Sequence, residues 1–315
     1  MTTYLIRRVL WIIPVLVAAT MITFVVMHNT PGSPWNREGR QMTPSQRERL
    51  DAKFGLDQPL PIQYLKWVGG LVTGDMGVTV TDRPTPVSRL MANGILPTVQ
   101  LGLMAFTLAV LVGVPLGLIA AIRHRTVYDY AATAVAMLGM AAPAFMLGAL
   151  LQLFLGSPEF RPDQGPFPSF GWDGPRAWVL PTIALAGLPM ATIARQTKAS
   201  MLDVIHADYS RTAHAKGLEE DRIVKFHMIR NALVPLLTIA VPLLGLVITS
   251  SIVIEQVFRI PGLGNLYWNA IRFRDYTLVM GITVFYAALV AVLNAAVDIA
   301  YGFIDPRLRD HSVTV

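Results

Sequence analysis

The chain has 315 residues, of which 53% are apolar and only 15% charged, and its mean hydropathy is positive. A soluble domain of this length rarely combines those values, so the composition points to a polytopic membrane protein. There are no cysteines, which excludes disulfides, thiolate metal sites and a thiol nucleophile, and the formal net charge of +6 suits a nucleic-acid partner only if the basic residues do not sort to one side of a membrane.

Arg7 and Arg8 precede the uncharged run Val9 to Met27, whose nineteen residues are close to the ~20 needed to cross a bilayer as a helix. A secretory signal would have a shorter apolar core, so the run is expected to be a retained anchor. From His28 to Ile95 the chain turns polar and rich in proline. Thr43-Pro44-Ser45 predicts a short helix through Ala52, because a hydroxyl cap followed by proline in the first turn starts helices. Gly69, Gly70, Gly74 and Gly77 do not form a phosphate loop, since no GxxxxGK[ST] occurs. This part is expected to be a small subdomain outside the membrane.

Five further uncharged stretches follow: Leu96 to Ile122, Tyr130 to Ser157, Ala177 to Ala194, Asn231 to Ile254 and Tyr276 to Val297. Six spans and an all-α polytopic fold are therefore predicted. Pro115, Pro143, Pro189 and Pro242 lie inside them as potential kinks. With the N-terminus inside, the short cytoplasmic segments hold thirteen Lys and Arg and the short outer loops five, the other eight lying in the long 28–95 segment, which is exempt from the count. Both termini are thus expected in the cytoplasm, and no nucleic-acid role is needed.

Several polar residues fall inside spans. Gln100 and Gln152 would line a pore or cement helices. Asn294 and Asp298 share one helix face, Asp298 being the only charge expected within a span, with a helix-to-helix role favoured over solute contact. Gly113 and Gly117 form a GxxxG pair, a close-packing signal that is also common by chance. No HExxH, no Gly-x-Ser-x-Gly and no metal-ligand histidine spacing occurs, so neither a metal site nor catalytic machinery is expected in this chain.

The most informative stretch is the charged island from Asp208 to Pro235, too polar to sit in lipid. A helix is predicted from Ala207 to Lys216, closed by Gly217 in a left-handed cap, and a second follows with Glu219, Glu220 and Asp221 in its first turn. Small residues (Ala207, Ala213, Ala215) alternate with long ones (Tyr209, Arg211, His214, Lys216), a pattern suited to a socket on another protein. Arg211-Thr212-Ala213, three residues, then Gly217 resembles the EAA loop of ABC importer permeases in the variant of the dipeptide, oligopeptide and nickel family. Arg211 and Thr212 replace the Glu and Ala of the general motif, and Pro235 comes late, both as in the peptide branch. Pro31-Gly32-Ser33-Pro34, the run GLDQPLPIQYLKWVGGLVTGDMG from Gly55 to Gly77, VFRIPGLGNL from Val257 to Leu266 and the Asp305-Pro306-Arg307 ending resemble the same family.

The resemblance implies the B-type permease subunit of a peptide transporter with the type I ABC importer (MetI-like) fold. It also implies a homologous second permease in a heterodimer, two ATPase subunits that bind ATP and Mg, and an extracytoplasmic solute-binding protein, all at a bacterial or archaeal inner membrane. The chain itself would hold no cofactor. Residues 1–27 would be the N-terminal tail and first helix, 28–95 the extracytoplasmic subdomain, 96–304 the permease core with a coupling loop over 195–235, and 305–315 a cytoplasmic tail. Ala207, Asp208, Tyr209, Arg211, Thr212, Ala213, His214, Ala215, Lys216 and Gly217 are the expected ATPase-coupling residues. Phe258, Pro261, Gly262, Leu263 and Gly264 would lie at an outer gate or in a packed turn. An ion-driven secondary transporter is the alternative, disfavoured by the lack of an internal repeat and of mid-span charge.

Overall fold

The computed structural model describes residues 2–31, 43–80, 84–157 and 165–304, with the backbone alone for 2–9, Ser157, His214, Glu220, Asp221, Lys225, His227 and 298–304. Gly32, Ser33, Pro34 and the Asp305-Pro306-Arg307 ending lie outside the described residues, as do the side chains of His214 and Asp298. In chain order the helices are α1 (Thr2–Asn29), α2 (Pro44–Phe54), α3 (Leu60–Val72), α4 (Val87–Ile122), α5 (Val127–Ala141), α6 (Ala144–Leu155), α7 (Pro175–His206), α8 (Asp208–Ala215), α9 (Glu220–Ile223), α10 (Ile229–Ala232), α11 (Val234–Val257), α12 (Leu263–Arg272) and α13 (Tyr276–Ile304). A π-helical turn, Val224–Met228, joins α9 to α10, and the two-residue strands β1 (Gly156–Ser157) and β2 (Phe167–Pro168) pair in parallel, Gly156 opposite Phe167.

Among the described residues five helical stretches are long and apolar enough to span a bilayer: Leu10–Asn29, Val87–Ile122, Pro175–His206, Ile229–Val257 and Tyr276–Val297. The sixth expected span, Tyr130 to Ser157, is not one rod. α5 and α6 meet at 100° across Ala142 and Pro143. Pro143 has no N–H to offer the preceding turn, and its ring pushes Ala142 out of helical geometry to φ −131°, ψ 145°. Pro115, Pro189 and Pro242 stay inside continuous helices.

Two compact units result, residues 97–260 and residues 1–96 with 261–315, and α4 passes from one into the other at Pro97. The 97–260 unit is organised around α7, whose face of Leu180, Ala184, Leu185 and Ile193 is buried with Leu101 and Ala105 of α4 and Val247 and Ile254 of α11. Lipid tails are as apolar as leucine, so such helices associate through close packing rather than through burial from water. The glycines meet that need. A Cβ on Gly117 would stand 2.4 Å from the Ala194 carbonyl oxygen and one on Gly113 2.7 Å from that of Met190, which seats α4 directly on the α7 backbone. The GxxxG pair is thus a real contact. Nearer the start of α7, a Cβ on Gly139 of α5 would fall 2.3 Å from the Gly187 oxygen.

In the other unit α1 packs against α13. Phe24, His28 and Tyr276 form a ring stack, with centroids 4.0 Å apart for the first pair and 4.6 Å for the second. α2 begins with a complete capping box between Thr43 and Gln46 and ends at Gly55 in left-handed geometry, as its sequence predicts with two more residues at the C-terminus. α3 reaches α1 through Tyr64, which shares a hydrogen bond of 2.9 Å with Thr20. Asp275 caps α13 by accepting from the Leu278 N–H and also accepts from the Val80 N–H, tying the segment before α4 to the start of the last helix.

Candidate coupling site

α7 continues well past Ala194, the end of its uncharged run, and delivers the chain to the charged island as a single helix. It stops at His206 because Ala207 turns extended (ψ 148°), and Ser210 Oγ reaches back to the Val204 carbonyl at 2.7 Å, filling an acceptor the helix end leaves open. α8 then runs over Asp208–Ala215, one residue shorter at each end than its sequence predicts. It closes as expected: Gly217 has φ +74°, and the Leu218 N–H returns to the Ala213 carbonyl, the six-to-one bond of a Schellman cap. Nothing lies within 4 Å of a Cβ built on Gly217, so the constraint there is conformational and not steric crowding.

The faces of α8 are unequal. Ser210 and Ala213 are buried, Ala213 in a cluster with Ala121 of α4, Met201 of α7 and Ile223, Met228 and Ala232 of the following segment. Ala213 therefore seats the helix on its own chain instead of facing outward. Asp208, Tyr209, Arg211, Thr212, Ala215, Lys216 and Gly217 are exposed, and Ala207 is half-buried. Arg211 stands 3.8 Å from Asp208, a solvated pair of little energetic weight. The π-helical turn that follows is wide enough for Ile223 and Met228, five residues apart, to point into the same cluster, and it leaves Phe226 69% exposed. Phe226 is thus an exposed aromatic in the run Lys225-Phe226-His227, a feature missed when the run is read only for charge.

Two of the amides expected within spans, Gln152 and Gln100, are hydrogen-bonded to other segments of the chain. Gln152 Nε2 donates to the carbonyls of Ser169 (2.6 Å) and Val257 (3.2 Å), and Gln100 Oε1 accepts from Trp172 Nε1 (3.3 Å). Asn294 is exposed on α13. Asp298 is not the only charge within a spanning helix: α11 extends three residues beyond Ile254, which brings Glu255 inside it, fully buried and accepting from Ser251 Oγ at 2.7 Å.

The turn after α11 is another Schellman cap, built on Arg259 at φ +52°, with the Ile260 N–H bonded to the Glu255 carbonyl. Arg259 lies over the Phe170 ring at 4.4 Å. Phe258 is buried, its ring against Gly148 of α6. Beyond it, Pro261 and Gly262 lead not into a simple turn but into the amphipathic helix α12, which begins with Leu263 and Gly264, both buried. Gly94 of α4 leaves room for Leu263, whose N would be 3.0 Å from a Cβ there.

Five or six candidate spans, one of them continuing into a charged helical segment, are what a multi-pass membrane protein presents. Residues 113–310 match the binding-protein-dependent transport system inner membrane component family, and residues 1–91 match the N-terminal region of such membrane components. The chain is 39% identical over 311 residues to the dipeptide transport system permease protein DppB of Bacillus subtilis, covering 99% of each. It is 37% identical to the oligopeptide transport system permease protein OppB of Escherichia coli K12, covering 98% of this chain and all of that one. Among solved structures, the MetNI methionine ABC transporter in inward-facing conformations shares the fold at TM-score 0.53 and 17% identity, over 69% of this chain and 97% of that one. An amino acid ABC transporter with histidines does so at 0.52 and 15%, over 67% and 92%. The chain belongs to the binding-protein-dependent transport inner membrane component family. It is the membrane-spanning permease subunit of an ABC importer with the type I fold, working with ATPase and solute-binding partners, and is not itself an enzyme.

Proposed function

We propose that this subunit carries peptides, dipeptides or oligopeptides, that a solute-binding protein delivers. The observation that supports this is full-length identity of 37–39% to permeases named for dipeptide and oligopeptide transport. A homologous second permease would complete a heterodimer. Two ATPase subunits would bind ATP and Mg on the cytoplasmic side, where both termini of this chain would lie, with residues 28–95 largely on the opposite side.

In this reading α8 is the lever. Its exposed residues Tyr209, Arg211, Thr212, Lys216 and Gly217, together with Phe226, would enter a socket on an ATPase subunit, while Ser210 and Ala213 hold the helix to α7. Closure of the ATPases on ATP would displace α8, and α7 would carry the displacement into the spans because a helix packed on both sides moves as a rigid rod. The Pro261–Gly264 stretch would serve at the outer gate.

The complete transporter in proteoliposomes tests this. ATP-dependent uptake of a labelled dipeptide or pentapeptide, insensitive to a proton uncoupler, is expected. Gly217→Val should keep the complex assembled but sharply lower uptake per ATP, because a β-branched residue is strained at φ +74°. Uptake that persists without ATP and collapses with the uncoupler would instead favour an ion-driven carrier.

A further inference from the structure

The carboxylate of Asp129, at the start of α5, is 5% exposed and collects four donors. These are Lys198 Nζ of α7, Thr133 Oγ1 (3.2 Å), the Arg125 N–H (3.0 Å) and His124 Nδ1 (3.1 Å). Lys198 also reaches Thr133 Oγ1 at 3.4 Å. The α4–α5 turn is shaped to permit this, with Arg125 in left-handed geometry at φ +62° so that its N–H points at the carboxylate. Lys198 sits eight residues before His206, about 12 Å along α7 from the end that leads into α8.

We propose that Asp129 and Lys198 are positioning residues that clamp α5 to α7, so that both helices follow the coupling helix as one body. The proposal rests on the reading of α8 as the lever. Its physical basis is that the helices touch backbone to backbone at Gly139 and Gly187, where a Cβ on Gly139 would lie 2.3 Å from the Gly187 oxygen. Small-residue packing of this kind, with Ala132 and Ala136 of α5 also buried, brings the helices close but supplies no directional bond to hold their register. The Asp129–Lys198 pair is ten residues from Gly139 along α5, about 15 Å, and adds a directional bond at the end of the contact nearest α8. An apolar pair of the same size would stabilise the contact as well or better, but it would allow sliding, whereas a buried multidentate carboxylate fixes register. Four donors converging on one group, drawn from the turn, from α5 and from α7, is what a fixed joint requires.

The test uses the complete transporter in proteoliposomes, with uptake and ATP hydrolysis measured together and hydrogen exchange followed at residues 127–133 and 198–206. In the unaltered protein both segments should change protection together when ATP is added. In Lys198→Met and Asp129→Asn the 198–206 segment should still respond while 127–133 does not, and uptake per ATP should fall about fivefold or more. Lys198→Arg should restore most of it. The clamp is overturned if 127–133 responds as fully in Lys198→Met as in the unaltered protein, or if uptake and hydrolysis fall in equal proportion. Should both variants fail to assemble, independent responses of the two segments in the unaltered protein would overturn it alone. If Gly217→Val leaves uptake per ATP unchanged, the lever reading fails separately, and the exchange result still decides the clamp.

Discussion

Alanine at Gly117 and alanine at Gly69 are the same chemical change in two helices, yet the structure assigns them opposite signs. At Gly69 in α3 a Cβ meets nothing within 4 Å, and backbone entropy favours alanine by about 0.5–1 kcal/mol. At Gly117 in α4 the same atom would stand 2.4 Å from the Ala194 oxygen, 2.6 Å from Thr197 Cβ and 3.1 Å from the Lys198 nitrogen. Two of these are backbone atoms that cannot rotate away. Ordinary contact begins near 3.5 Å, so α4 must retreat by about 1 Å, and a gap of that size forfeits a quarter to a half of each neighbouring van der Waals well. Overpacking of this kind costs about 1–3 kcal/mol, more than the entropy gained. Thermal unfolding of the purified complex should therefore place Gly117→Ala below the unaltered protein and Gly69→Ala at or above it. A Gly117→Ala protein as stable as the parent would refute the claim that α4 rests on the α7 backbone.

Gln152→Leu should cost about 1–3 kcal/mol in the same assay, since it strips the donor from the Ser169 and Val257 carbonyls, while Gln152→Glu should be no better because it removes the N–H as well. Because the chain has no cysteine, single cysteines at Arg211 and Leu65 give a clean topology test. A membrane-impermeant maleimide should label position 211 only in inverted vesicles, and labelling of intact cells at that position would reverse the proposed orientation.

Much of this protein was legible in one dimension because lipid imposes a one-dimensional constraint: a spanning segment must satisfy its own backbone, so length and lack of charge reveal it. The Thr43 cap, the glycine closing α8 and the five spans follow from local rules of that kind. Periodicity could not show which face of α8 turns inward, and Ala213, chosen for small size, seats the helix on its own chain instead of facing a partner. Hydropathy averages over Pro143 and so hid the 100° break between α5 and α6. Glu255 was placed in a loop because the apolar run stops one residue before it, although helix geometry continues past it. The Asp129–Lys198 joint pairs residues 69 apart in the chain. Local patterns decided which segments enter the membrane, but only the packing of α4 and α5 on α7 decided which charges meet, since partners in a bundle are chosen by backbone approach that no single helix encodes.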